Sequence, residues 1–128
     1  MNREEILAME AGRELDKLIH EKVFGWTRME YPAVPAWQKP TKEGTECWHA
    51  MVPHYSTYTA DAYEVVEKMK EKYFMVSVIA VKGGQYECII TSEEPTIHND
   101  YELYELGETA PLAICRAALL AVMEDNNA

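Results

Sequence analysis

Cys47, His49 and His54 bring a thiol and two imidazoles close together in the chain. These are donors that zinc prefers, but Cys-x-His with a single later His lacks the spacing of a structural zinc site, and no metal is expected. Cys47 and His49 as nucleophile and base would share one face of an extended strand, yet no third group stands beside them to orient the base. His54 or His98 with an Asp or Glu could supply the general acid and base of a hydrolase whose site is dispersed along the chain. The Walker loop, G-x-G-x-x-G, G-x-S-x-G and H-E-x-x-H signatures are absent from the sequence.

Binding chemistry has more to work with. Arg116 is the one charge in the apolar run Pro111 to Met123. An unpaired buried guanidinium is costly, so Arg116 either pairs with a carboxylate or is offered to an anionic ligand. Its planar fork suits a phosphate, which it can hold through two parallel hydrogen bonds. Trp26, Trp37, Trp48, Tyr55 and Tyr58 can stack on a base or simply cover a modest core. Ser56 and Thr57 precede a helical pattern and are expected to cap it, and the exposed N–H groups of such a helix start attract phosphate. Arg116, Tyr55, Ser56, Thr57, Trp26 and Trp48 are therefore the candidate ligand-binding residues.

The elements that position them can be read from periodicity. Asn2 and Glu5 form a capping pair, and Leu7, Ala11, Leu15 and Leu18 recur at helical spacing, predicting one helix to about Lys22 with a stop at Gly25. Trp26 to Pro53 holds all three tryptophans and most of the prolines without a sustained period. It reads as a long irregular insert with one strand near Trp48 to Val52. A middle helix follows, with Ala62, Val65, Val66, Met69 and Tyr73 on one face. "FMVSVIAV", "KGG" and "QYECIIT" spell a β-hairpin, and Tyr101 to Leu106 a third strand. Thr109 caps a last helix with Pro111 in its first turn. Leu112, Cys115, Leu119 and Val122 form its stripe, and Ile114, Leu120 and Met123 widen it nearly all round, so it is buried deep in the domain or in a subunit interface.

The chain has 128 residues, 48% hydrophobic and 27% charged, with no repeat or linker, which predicts one α+β domain over 1–128. A small antiparallel sheet would pack with the N-terminal, middle and C-terminal helices. Twelve Lys and Arg against 22 Asp and Glu give a net charge of -10, which disfavours nucleic-acid polymers and anionic membranes but leaves room for a local anion site. No stretch approaches the roughly 20 apolar residues of a membrane span, and the acidic start has no signal-peptide character. Cys47, Cys88 and Cys115 read as free thiols of a reducing compartment.

"GW" after the first helix, "YST" leading into "YEVVEKM", and "ETAPLAICRAALLAVME" near the end resemble the phage ABA sandwich domain family of small phage and prophage proteins. The resemblance implies an α/β/α sandwich arrangement and phage origin, and brings no catalytic residue set. Small phage proteins of this kind include inhibitors that sequester nucleotide signals of bacterial immunity, such as the cyclic ADP-ribose-like molecules of Thoeris and cyclic dinucleotides. By that analogy the expectation is a non-enzymatic homo-oligomer of the host cytoplasm that binds a small anionic nucleotide and needs no cofactor. A hydrolase of such a signal, or an accessory protein that binds a host protein through its aromatic surface, are the alternatives.

Overall fold

The N-terminal helical pattern folds as two helices rather than the single one expected. In the computed structural model, which describes residues 1–29, 36–41, 44–48, 51–92 and 101–126, α1 (Arg3–Ala8) and α2 (Arg13–Lys22) are separated by a bend. Asn2 caps α1 by accepting from the Glu5 N–H at 2.9 Å. Gly12 is nearly fully extended (φ 158°, ψ -171°), and its N–H donates to Ser56 Oγ at 2.9 Å. A tertiary hydrogen bond thus replaces a helical one at the residue least suited to a helix interior. Gly25 takes the left-handed conformation (φ 77°) that ends the helical segment, as its position predicts.

The insert is more regular than its sequence suggests. It holds β1 (Thr27–Met29), β2 (Ala36–Thr41) and β3 (Gly44–Trp48), an antiparallel sheet in the order β1-β2-β3 with Trp37 opposite Trp48. The single strand expected at Trp48 to Val52 lies earlier, as the edge strand β3, and two further strands complete the sheet. Pro40 within β2 and the lack of alternation hide these strands from a pattern reading.

The middle helix, α3 (Thr59–Glu71), presents Ala62, Val65 and Met69 to the core. Its N-cap is Tyr58, with no side-chain cap bond, so neither Ser56 nor Thr57 caps it. Ser56 is buried and its hydroxyl is engaged elsewhere, while Asp61 in the first turn accepts from the His54 N–H at 2.8 Å. The hairpin is as expected: β4 (Phe74–Val81) and β5 (Gln85–Ser92) pair antiparallel around Gly83 and Gly84, both at positive φ. β6 (Glu102–Gly107) adds the third strand on the far side of β5.

The last helix, α4 (Ala110–Asn126), starts behind Thr109, whose Oγ1 accepts from the Leu112 N–H at 3.3 Å. It packs across β5 and β6 and against α1, α2 and α3. Leu112 to Val122 are all buried except Arg116, and they meet Ile6, Leu15, Ile19, Val65, Met69 and Ile90 in one core. The nearly all-round apolar helix is therefore covered within one chain, and no partner subunit is needed to bury it. A mixed α+β fold results, with α3 and α4 packed on the β4-β5-β6 sheet and α1 and α2 packed against α4. Arg3 ties α1 to this assembly through buried Glu105 of β6 and through Glu124 at 3.3 Å.

Candidate functional site

Arg116 lies in the second turn of α4, and a long helical side chain leans toward its helix N-terminus. Its guanidinium therefore comes to the place where α4 begins. Nη2 donates to the Met9 carbonyl at the end of α1 (3.0 Å), and Nη1 to the Leu106 carbonyl near the end of β6 (3.2 Å). Nε is buried and has no hydrogen-bond partner among the described residues. The carboxylate pair expected for Arg116 is not formed among the described residues; two backbone carbonyls stand in its place. Carbonyls carry only partial charge, so the guanidinium keeps most of its own.

A cleft of about 280 Å³ opens here, lined by Glu10, Ala11, Glu108, Thr109, Leu112 and Arg116. β6 and α4 cross closely next to Glu108 and Leu112 of this lining: a Cβ added at Gly107 would sit 2.6 Å from the Ala113 nitrogen, so only glycine lets β6 turn into α4 at this distance. One cation, two carboxylates and a hydroxyl can grip a ligand that combines an anionic group with several hydrogen-bond donors.

The other candidate residues divide between three places. Ser56 belongs to a buried polar pin: its Oγ–H donates to Asp16 Oδ1 at 2.6 Å and its N–H donates to the same oxygen at 2.8 Å. Asp16 Oδ2 accepts from Arg13 Nη1 at 2.9 Å, and Arg13 also donates to His54 Nδ1 at 3.0 Å. Thr57 is exposed in the turn before α3, where its N–H reaches the His54 carbonyl at 3.3 Å. Arg116 and the start of α3 thus form no joint anion site.

Tyr55 and Trp26 meet around His20. Tyr55 shares a hydrogen bond with His20 Nδ1 (2.9 Å) and stacks on Phe24, while Trp26 stacks on the imidazole at 4.8 Å and Trp37 meets it edge-on at 4.9 Å. Burial pushes the His20 pKa down to about 4 and the Tyr55 pKa up, so both are neutral near pH 7. Lys39 lies 5.9 Å over the Trp26 ring. Tyr55 and Trp37 are buried and half-buried Trp26 is their rim, so these rings form core rather than an open stacking platform. Trp48 and Cys47 contribute backbone pairing to β3, and their side chains, like all of His49 and His98, lie outside the described residues. Tyr58 is exposed and stacks on His54 at 4.5 Å.

The place of Glu10, Glu108 and Thr109 in a cleft, and the buried polar partners Asp16, Arg13 and His20, escaped the sequence reading. Asp16 and His20 left a usable signal, because they stand beside Leu15 and Ile19 on the buried face of α2. A charged residue and an imidazole one turn apart on a core face call for buried partners.

Fold and cleft together define a small α+β domain with its polar groups gathered where the last helix meets the sheet. The chain matches the model of the phage ABA sandwich domain over residues 17–119 and belongs to that family. It is also similar to a phage protein from Bacillus cereus ATCC 14579 of known crystal structure. The two share 27% identity and a TM-score of 0.62, over 91% of this chain and 90% of that one. Comparison with curated proteins gives no match. No helix among the described residues is long and apolar enough to cross a membrane.

Proposed function

We propose that this phage-family protein is a binding protein that takes up a small nucleotide-derived molecule at the Arg116 cleft and withholds it from a bacterial signalling pathway. The observation that carries the reading is the Arg116 Nε, buried and unpartnered among the described residues, on a side chain that lines a cleft. Desolvated donors without partners are rare in native structures, and a turn of the guanidinium toward the cleft would let an incoming phosphate oxygen satisfy this one. Glu10 and Glu108 fit the rest of such a ligand, since ribose hydroxyls and an adenine amine are donors that carboxylates accept. The same two carboxylates disfavour a bare polyanion, which suits a ligand with one or two phosphates rather than a nucleic-acid strand.

The cleft of about 280 Å³ is near the lower end of the roughly 300–1,000 Å³ range of small-molecule sites. It would hold a phosphoribosyl portion, with the base lying against the surface outside. Retention rather than turnover is the reading favoured here, supported by the place of His54, which accepts a hydrogen bond from Arg13 on Nδ1 and does not line the cleft.

Incubation with a panel of cyclic dinucleotides and cyclic ADP-ribose isomers tests this directly. Depletion of one compound from free solution, followed by its intact return on heat denaturation, is the expected result. Return as a cleaved product would make the protein a hydrolase, and no depletion would remove the ligand reading.

A further inference from the structure

The β4-β5-β6 sheet has two unlike faces away from its hairpin end, where Val78, Ala80 and Tyr86 on the helical side are exposed. Phe74, Val76, Cys88, Ile90 and Leu103 point to the helices and are buried or half-buried. Strand alternation sends the intervening residues to the other face. Register sets them in three cross-strand rows: Met75, Thr91 and Glu102; Ser77, Ile89 and Tyr104; Ile79, Glu87 and Leu106. Met75 is 56% exposed, Ile79 44%, Tyr104 51% and Leu106 45%. An apolar group of this extent, on adjacent strands of one sheet, is the composition of a covered surface rather than a solvated one.

Its charges point to what covers it. Glu87 stands in register between Ile79 and Leu106, has no ion-pair partner among the described residues, and shares these rows with only one other ionisable carboxylate, Glu102. No Lys or Arg occupies any of the nine positions. A two-fold copy of the chain would set this acidic face against itself, adding like-charge repulsion to a net charge of -10. Three strands about 4.8 Å apart make a strip about 10 Å wide, the width of one helix.

We propose that this face docks an amphipathic helix of another protein, one whose apolar stripe carries a Lys or Arg that pairs with Glu87. The site is separate from the Arg116 cleft, which opens where α1, β6 and α4 meet on the helical side of the sheet, and it does not depend on nucleotide binding.

The test is site-specific photo-crosslinking of the full chain in its bacterial host, with the photoreactive residue at position 79 and, as a control, at exposed position 63 of α3. Crosslinked peptides are identified by mass spectrometry, and purified protein is examined by sedimentation. The expected product joins position 79 to a basic, amphipathic helical segment of another protein, is absent at position 63, and falls at least about tenfold in Glu87→Lys. Should Glu87→Lys melt early, the near-isosteric Glu87→Gln replaces it, and a loss of crosslinking with unchanged Tm is still expected. A crosslink to a second copy, a partner segment without a basic residue, equal crosslinking in the Glu87 variants, or no product above the position 63 control would each overturn the proposal.

Discussion

Arg116 and Ser56 hold the two ends of one bend. Arg116 Nη2 donates to the Met9 carbonyl at 3.0 Å, and Ser56 Oγ accepts from the Gly12 N–H at 2.9 Å, so α4 and the segment before α3 together brace the break between α1 and α2. The side wall of the cleft, Glu10 and Ala11, is the stretch between these anchors. Cleft shape and helix packing are thereby the same structural fact.

Arg116 consequently has a structural and a ligand role that two variants separate. Arg116→Ala removes both carbonyl contacts and is expected to lower stability by about 2 kcal/mol. Arg116→Lys keeps a cation for the carbonyls but lacks Nε and the planar fork, so it should melt within a few degrees of the parent yet bind the nucleotide at least about tenfold more weakly. Thermal melts and ligand-depletion assays on both variants check this; full uptake by Arg116→Lys would exclude the fork as the phosphate contact.

Ser56→Ala leaves the Gly12 N–H without its acceptor and takes one of three donors from buried Asp16. A loss of about 1–3 kcal/mol is expected in urea unfolding, with the m-value unchanged. Thr57→Ala, a neighbouring hydroxyl on the surface, should change stability by less than about 0.5 kcal/mol. Equal effects of the two would contradict the pin.

His20 gives the fold a pH dependence. Its pKa is depressed by burial from 6.5 to about 4, so between those values the unfolded chain binds more protons than the folded one. Stability from this group is complete above about pH 6.5 and is lost as pH falls toward 4, by about 3 kcal/mol in all. His20→Phe, which cannot be protonated, should flatten that part of the curve even though it gives up the Tyr55 contact. Denaturant midpoints of parent and variant between pH 7 and pH 4 decide the matter; parallel curves would acquit His20.

Gly107→Ala places a methyl 2.6 Å from the Ala113 backbone nitrogen, where neither side is a flexible side chain that can yield. Overpacking at a backbone crossing is expected to destabilise by about 3 kcal/mol or more, with a clear drop in Tm. At Gly83, where open space surrounds the Cβ position but φ is 97°, alanine should cost about 1–2 kcal/mol through backbone strain alone.

Local chemistry was enough for the elements whose instructions are local. Asn2 with Glu5, Gly25, the Gly83-Gly84 turn and Thr109 with Pro111 each act within a few residues of themselves, so the start of α1, the stop after α2, the hairpin and the last helix were legible, while the break between α1 and α2 was not. The three strands between Thr27 and Trp48 were not, because Pro40 and unpatterned tryptophans carry no period and pairing alone makes them strands. Ser56 reads as a cap because the residues beside it are all that its sequence context shows; Asp16, forty positions away, outcompetes the helix start for its hydroxyl.

By itself, the sequence determined an α+β fold of the phage ABA sandwich family, its acidic character and the presence of one arginine in an apolar helix. Only the tertiary structure decided what that arginine meets. Met9, Leu106 and Arg116 come from three elements, and their meeting depends on how α1, β6 and α4 cross over Gly107. Periodicity reports which face of an element is apolar, because burial is a property each residue carries along its own strand or helix. It cannot report which carbonyl or carboxylate waits on the opposing surface, since that partner is fixed by packing between distant segments and by the summed geometry of every turn between them.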